Sequence, residues 1–169
     1  NKSVYTRMTI ASKLREALYK TRDYLARKEA AEGDISKTPA YDFKLEALIP
    51  VIKGEMPLKA HAHRADDILT AIRIAKEFGV GLTLEHCTEG HLIVDKLASE
   101  NYPLAVGPSL THATKFELRN KSFTTPGILA NAGCQVSIIT DSPVIPQEYL
   151  PMVAGLAVKA GMKPFDALK

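Results

Sequence analysis

Histidine and aspartate stand at the ends of three short apolar stretches of this 169-residue chain, as His61, His86 and Asp141. Neutral imidazole and carboxylate are ligands that zinc accepts, and a site with two or three protein ligands leaves a position open for water. A metal in such a site lowers the pKa of its bound water to about 7 and polarises a carbonyl under attack. The three residues therefore predict a divalent-metal site, most simply zinc. Asp141 is expected to be a ligand and to carry a proton to the leaving group as the catalytic residue.

Two further histidines are candidate substrate contacts. His63 lies two residues after His61 and is interpreted as a substrate contact, or a cap of the next helix, rather than as a ligand of the same metal. His112 lies in the longest polar loop after a predicted strand, where substrate contacts are common, although solvent exposure is the simpler reading. Cys87 follows His86 directly and fits a small buried side chain better than a ligand.

Each candidate has an ordinary structural alternative. A single histidine at a strand end often serves only as a hydrogen-bonding group, and Asp141 before Ser142-Pro143 is also a common turn sequence. Two rival functions therefore stay open at this point. One is a non-catalytic α/β binding domain, and the other is an enzyme that uses His61 or His63 as an acid–base without metal.

The elements that must position these residues follow from hydrophobic periodicity. Two amphipathic helices, at 6–31 and 42–53, precede the first strand and are expected to pack as a pair. From residue 57 the pattern alternates between short apolar runs and helical stretches. It predicts strands at 58–61, 81–85, 103–106 and 136–140, and helices at 66–78, 89–99, 125–132 and 147–160.

This alternation is typical of βα units around a parallel sheet. The predicted strands are nearly all apolar, as expected when both faces of a sheet are covered. In a (β/α)₈ barrel the active site lies at the carboxyl ends of the strands, where the Gly107-Pro108 turn would join the candidate ligands. Glu89 at the start of the helix 89–99 is interpreted as a carboxylate at that helix's own N-terminus.

Composition narrows the class of protein. Apolar residues make up 46% of the chain, charged residues 24%, and the formal net charge is +3, with both signs interspersed. No basic stripe predicts nucleic-acid binding, and no apolar run reaches the roughly 18 residues of a membrane helix. Two cysteines are too few for a disulfide framework, so a cytoplasmic location is expected.

Three segments in this order together resemble strands five, six and eight of the metal-dependent amidohydrolase superfamily. They are 61–68 (HAHRADDI), 84–90 (LEHCTEG) and 139–144 (ITDSPV). The likeness is greatest to the imidazolonepropionase-like and Xaa-Pro-dipeptidase-like branch. It implies that His61 and His86 are the metal ligands of strands five and six. It also implies that Asp141 binds metal and acts as the general base, and that His63 contacts substrate.

The resemblance further implies hydrolysis of carbon–nitrogen bonds in a small amide, cyclic amide or dipeptide, with one or two metal ions. The family's His-x-His pair on strand one and its carboxylated lysine on strand four cannot be assigned in this sequence. The expectation is therefore a single fragment, residues 1–169. It would be the C-terminal portion of a (β/α)₈ TIM barrel, from the helix after strand four through strand eight and its helix. Such a fragment is expected to be inactive alone and to form a homo-oligomer through its open edge strands.

Overall fold

The computed structural model describes residues 6–169. Its helices and strands alternate from the first strand onward, and their bounds in chain order are α1 (Arg7–Ala30), α2 (Phe43–Ile52), β1 (Leu58–Ala62), α3 (Ala65–Phe78), β2 (Leu82–His86), α4 (Val94–Glu100), β3 (Leu104–Val106), α5 (Thr125–Asn131), β4 (Val136–Ile138), α6 (Leu150–Lys159) and α7 (Pro164–Leu168). The chain divides into two compact units. One combines the residues up to Leu58 with Ile72–Gly81, and the other combines Lys59–Ala71 with Leu82–Lys169.

The first unit contains the predicted helix pair. The helix α2 begins at Asp42, whose carboxylate accepts hydrogen bonds from the backbone N–H groups of the first turn. The helices α1 and α2 are in contact. Leu18 and Tyr24 on α1 and Val51 on α2 are buried. The Tyr24 hydroxyl donates to Glu46 at 2.6 Å, and this joins the two helices at their polar margin.

The second unit contains most of a four-stranded sheet with the strand order β1-β2-β3-β4. The strand β3 pairs in parallel with both β2 and β4, and Leu84, Leu104 and Val136 form one row across the three strands. His86 lies opposite Val106 at the carboxyl end of the same ladder. The sequence prediction of an α/β fold with parallel strands alternating with helices, as in part of a TIM barrel, is confirmed.

The short strands are buried as predicted for a covered sheet. Leu84 on β2 and Leu104 on β3 are at most 2% exposed, and Leu97 on α4 and Leu129 on α5 are equally inaccessible. Full burial of such a side chain stabilises a fold by about 1.5–3 kcal/mol, so these contacts give the strand ends a rigid base. Within residues 6–169, every helix is too short or too polar to cross a lipid bilayer.

The structure differs from the sequence prediction at several helix starts. Single 3₁₀ turns at Gly90–Ile93 and Gln147–Tyr149 replace the first turns of two predicted helices, and a third, Phe116–Leu118, lies inside the predicted polar loop. The turn at Gly90 has no side-chain cap. A Cβ at Gly90 would approach side-chain carbons of two buried leucines at 3.1 and 3.2 Å. Close packing there is compatible with the tight turn, because glycine has no side chain to accommodate.

Candidate metal centre

Three histidines converge at the carboxyl ends of the first two strands. Ligand-capable nitrogens of His61, His63 and His86 all lie within 4.8 Å of one another. His61 belongs to β1, His63 follows its last residue, and His86 is the last residue of β2. A backbone hydrogen bond connects the two strand ends, because Cys87 N–H donates to the carbonyl of Ala62 at 3.1 Å. The neighbouring strands thereby bring distant sequence positions to one point.

The rings are in direct contact. The ring centroids of His61 and His86 are 4.2 Å apart, and those of His63 and His86 are 4.6 Å apart in a nearly parallel arrangement. His63 and His86 are buried, whereas His61 is exposed. The cluster is thus open to solvent on the side of His61 and covered by protein on the side of the other two rings.

A backbone carbonyl fixes the tautomer of His86. Its Nδ1 lies 2.7 Å from the carbonyl oxygen of Gly107. Because a carbonyl oxygen only accepts, Nδ1 must carry a proton, and in the neutral tautomer of this ring Nε2 has the lone pair. Orientation of a ligating histidine by an outer carbonyl in this manner is usual at protein metal sites. His86 is therefore prepared to offer Nε2.

His63 has a comparable partner on its own Nδ1. The hydroxyl of the buried Thr88 lies 2.8 Å from that nitrogen. The other nitrogen, Nε2, is 4.0 Å from a carboxylate oxygen of Glu117, which belongs to the loop after β3. In both buried rings, His63 and His86, Nδ1 therefore interacts with a protein oxygen, and Nε2 is the remaining nitrogen.

The surroundings favour neutral rings. Burial, followed by the proximity of His86 and His61, lowers the pKa of His63 to about 4. The pKa of His61 is also lowered, first by the protein atoms that displace its water and then by His86, while Glu117 and Asp141 oppose this shift. Neutral imidazole is the form that binds a metal, so this donor set fits zinc or a neighbouring transition metal.

The strand ends adopt uncommon backbone conformations. His86, Cys87 and Asp141 have φ angles of 74°, 45° and 53°, a region that residues other than glycine rarely occupy. Gly107, which accepts the hydrogen bond from His86, has a φ of 148°, and a Cβ there would meet the Ile139 carbonyl oxygen at 2.1 Å. Such conformations cost about 1–3 kcal/mol each and are concentrated at functional sites.

The remaining predicted site residues lie outside the histidine group. Asp141 is exposed in the turn after β4, and it influences the group through its charge on His61 rather than through a short contact. His112 is exposed in the loop after β3, where it lines a separate cavity. Burial raises the pKa of the Cys87 thiol to about 12, so this cysteine stays protonated and is a poor ligand.

Glu89 has a different role from the one that its position in the sequence indicates. Its buried carboxylate accepts from Ala65 N–H at 2.9 Å, in the first turn of α3, and from the Asn120 side chain at 2.8 Å. Its backbone N–H donates to the carbonyl of His63 at 2.9 Å. Glu89 therefore caps α3 rather than its own helix, and it connects the loop after β3 to the histidine group. In the sequence, only the position of Glu89 three residues after His86 indicates that it could lie near the histidine group.

Comparison with known proteins gives one informative likeness. No protein-family model matches this chain, and no curated protein does. A crystal structure of an amidohydrolase from Thermotoga maritima MSB8 superposes with a TM-score of 0.92 at 41% sequence identity, covering 97% of this chain. The chain spans 43% of the length of that neighbour. This likeness in both sequence and structure supports the relationship to the amidohydrolase superfamily that the three sequence segments indicate.

Proposed function

We propose that the protein to which this chain contributes is a metal-dependent hydrolase of carbon–nitrogen bonds in small amides, cyclic amides or dipeptides. One observation carries the proposal: three imidazoles converge within 4.8 Å at the carboxyl ends of adjacent parallel strands. The similarity to an amidohydrolase structure supports the same reaction class. The carboxyl ends of the strands are the edge at which (β/α)₈ enzymes carry their chemistry.

The proposed ligands are His61, through either ring nitrogen, and His86, through the Nε2 that its hydrogen bond to Gly107 leaves free. His63 joins them as a third candidate, because its ring contacts both others. A divalent cation, most simply zinc, would supply Lewis-acid polarisation of the carbonyl and acidification of water when bound. The low pKa of His63 means that this ring needs no deprotonation at neutral pH before it can coordinate.

Asp141 is the proposed proton carrier. Its carboxylate is exposed in the turn after β4, and its negative charge acts to raise the pKa of His61. A carboxylate in this position can accept a proton from the attacking water and donate it to the leaving nitrogen. The Asp141 carbonyl accepts from Val144 N–H at 2.8 Å, and this tight turn limits movement of the backbone. His112 is the proposed substrate contact, and a substrate contact by His63 is the alternative to its coordination of the metal.

Zinc binding by this chain tests the proposal. The measurement is elemental analysis after dialysis against zinc, for the wild-type chain, for His86→Ala and for a matched control, His91→Ala. His91 lies outside the cluster, where its ring interacts with the Thr125 hydroxyl at 2.9 Å. We expect about one zinc per wild-type chain, retention in His91→Ala and loss in His86→Ala. Equal zinc in all three proteins would contradict a site at the strand ends.

The hydrolytic step requires a second measurement on the full-length protein. Amide hydrolysis that disappears with a chelator and returns with zinc would support the metal-dependent reaction. An unchanged rate of hydrolysis in the presence of the chelator would instead favour an acid–base enzyme without metal. A protein that binds amides but never cleaves them would favour a binding domain.

A further inference from the structure

A cavity of about 430 Å³ lies in the loop after β3, away from the three histidines in the sequence and built by different side chains. Two arms of the loop form it, 109–112 and 121–123. Its volume falls within the range of sites that enclose small organic molecules, roughly 300–1,000 Å³. None of its lining residues belongs to the histidine cluster, and His112 is the one residue of the lining that the proposed function also assigns, as a substrate contact.

The polar part of the lining consists of hydrogen-bonding groups without a carboxylate. Ser109, Thr111 and Ser122 contribute hydroxyls, His112 contributes an imidazole, and Lys121 contributes the one formal positive charge. Hydroxyls and ammonium groups are all able to donate hydrogen bonds to an anion. With one ammonium and no carboxylate, a lining of this composition favours an anion over a cation.

Lys121 is the central element of this lining. Its Nζ donates to the Thr111 hydroxyl at 2.8 Å and to the Thr111 carbonyl, so it connects the two arms. An ammonium has three N–H donors, and these two contacts leave the third for another acceptor. The lysine is thus part of the cavity wall rather than a mobile surface side chain.

The charge of Lys121 is not compensated by a carboxylate in the described part of the chain. Burial is the cause that lowers its pKa, and no acidic neighbour counteracts it. Lys28 in the helix pair shows the contrast, because its contact with Glu46 raises its pKa. A partly buried cation without a counter-charge is destabilising, and an anionic ligand would remove that cost.

We propose that this cavity binds the carboxylate of a small organic monoanion, with the Lys121 ammonium as its ion partner and the surrounding hydroxyls as hydrogen-bond donors. One positive charge in the lining matches one negative charge in the ligand, which favours a carboxylate over a phosphate dianion. Leu110 and Phe123 supply the apolar part of the lining, and they would contact the organic part of the molecule. The site does not depend on the metal centre.

The probe is benzoate, which combines one carboxylate with one apolar ring. Its neutral isostere benzamide and inorganic phosphate are the comparison ligands. Binding to the chain is followed by shifts of the backbone amide resonances of residues 109–123 in NMR titrations. We expect benzoate to shift these resonances and to bind at least about tenfold more tightly than either comparison ligand, since a hydrogen bond to a charged group contributes about that factor.

Three variants assign the binding to the charge of Lys121. We expect Lys121→Gln to lose about tenfold in benzoate affinity and Lys121→Arg to retain it. The matched control is Lys115→Gln, because Lys115 lies in the same loop but pairs with Glu117 at 3.7 Å and is exposed. This control should bind benzoate as the wild-type chain does.

Several results would overturn the proposal. Unchanged affinity in Lys121→Gln, or an equal loss in Lys121→Arg, would show that the charge is not the determinant. Benzamide binding as tightly as benzoate would show an apolar rather than an anionic site, and tighter phosphate binding would contradict a carboxylate. The ligand comparisons use the wild-type chain, so they decide the question even if a variant fails to fold.

Discussion

Two polar clusters, one in each compact unit, show opposite ways of placing ionisable groups. Between α1 and α2, Glu46 accepts from Tyr24 at 2.6 Å and from the Lys28 ammonium at 2.5 Å. At the ends of β1 and β2, His61 and His63 lie beside a third histidine, and Nε2 of His63 is 4.0 Å from the carboxylate of Glu117. The first cluster pairs its carboxylate with a cation, whereas the second places three imidazole rings against one another.

The pKa shifts express the same difference. The contact with Glu46 raises the pKa of Lys28, and the contacts with Lys28 and Tyr24 lower the pKa of Glu46. In the histidine cluster, burial and neighbouring rings lower the pKa of both His61 and His63. A paired cluster is explained by stability alone. A group of neutral bases that face one another is explained better by a ligand that needs lone pairs.

Removing one ring from the histidine cluster should have the largest effect. We expect His63→Ala to weaken zinc binding by more than about 100-fold, because loss of a ligand exceeds the 10–100-fold cost of losing an outer partner. The measurement is a competition titration against a zinc chelator. His112→Ala is the matched control, since His112 is exposed and outside the cluster.

The same variant separates two roles for His63. Zinc affinity equal to that of the wild type, together with weaker substrate binding in the full-length protein, would assign His63 to the substrate as the sequence interpretation has it. That outcome would contradict its place among the ligands.

A glycine on the neighbouring strand end should matter nearly as much. In Gly107→Ala the new Cβ would lie 2.1 Å from the Ile139 carbonyl oxygen, at a φ that alanine disfavours. We expect a loss of about 3 kcal/mol in the free energy of unfolding, measured by urea denaturation. The Gly107 carbonyl also orients His86, so zinc affinity should fall by about 10–100-fold.

Gly155 provides the control for that substitution. It lies inside α6 with open space around its Cβ position, so Gly155→Ala should stabilise the fold by about 0.5–1 kcal/mol. A Gly107→Ala protein of normal stability and zinc affinity would show that this strand end tolerates a side chain. That result would contradict the prediction from the close approach of the Ile139 carbonyl.

The sequence was sufficient to predict the strand ends but not what surrounds them. Alternating apolar runs and helices with Gly or Pro at their limits determine the βα order, because local periodicity records which face is covered. That order places His61 and His86 on adjacent strands without any knowledge of tertiary contacts. The expectation that Asp141 completes their ligand set stays a prediction.

Contacts between distant segments were beyond the reach of the sequence. The hydrogen bond from His86 to Gly107 and the cap that Glu89 provides for α3 depend on where loops cross, which no local pattern encodes. The backbone at His86, whose ring contacts His63, is left-handed, a conformation that a histidine rarely adopts. Sequence reasoning therefore found the candidate residues and missed the groups that orient them.

Two carboxylates with two partners each allow a direct test of burial. Glu89 is buried and accepts only from neutral donors, Ala65 N–H and the Asn120 amide. In Glu89→Gln one of those donors would face an amide NH₂, and we expect a loss of about 1–3 kcal/mol in the free energy of unfolding. Glu46→Gln in the helix pair should cost less, because its glutamine oxygen can still accept from Tyr24 and solvent is near. If chemical denaturation shows equal losses in the free energy of unfolding for the two variants, burial does not determine the cost.

The smallest effect concerns pH and the helix pair. Lys28 first, and then Tyr24, lower the pKa of Glu46 below its ordinary 4.5, so the folded protein binds this proton less readily than the unfolded chain. The stabilisation from Glu46 is therefore complete above about pH 4.5 and is lost as the pH falls through the lower folded pKa. The pKa of Lys28 is raised by the same contact, so its contribution is complete below its ordinary 10.5 and is lost as the pH rises through the higher folded value.

Hydrogen exchange of the amides of α1 and α2 between pH 3 and 7, corrected for intrinsic rates, measures the acid limb locally. We expect protection to decrease below pH 4.5 in the wild-type chain and to vary less in Glu46→Gln, which has no carboxylate to protonate. Subtracting the two profiles removes any contribution of the histidines, since both proteins keep the same rings. If the two profiles coincide, the Tyr24–Glu46–Lys28 cluster does not stabilise the helix pair through its charge. The contrast with the strand ends would then rest on the histidines alone.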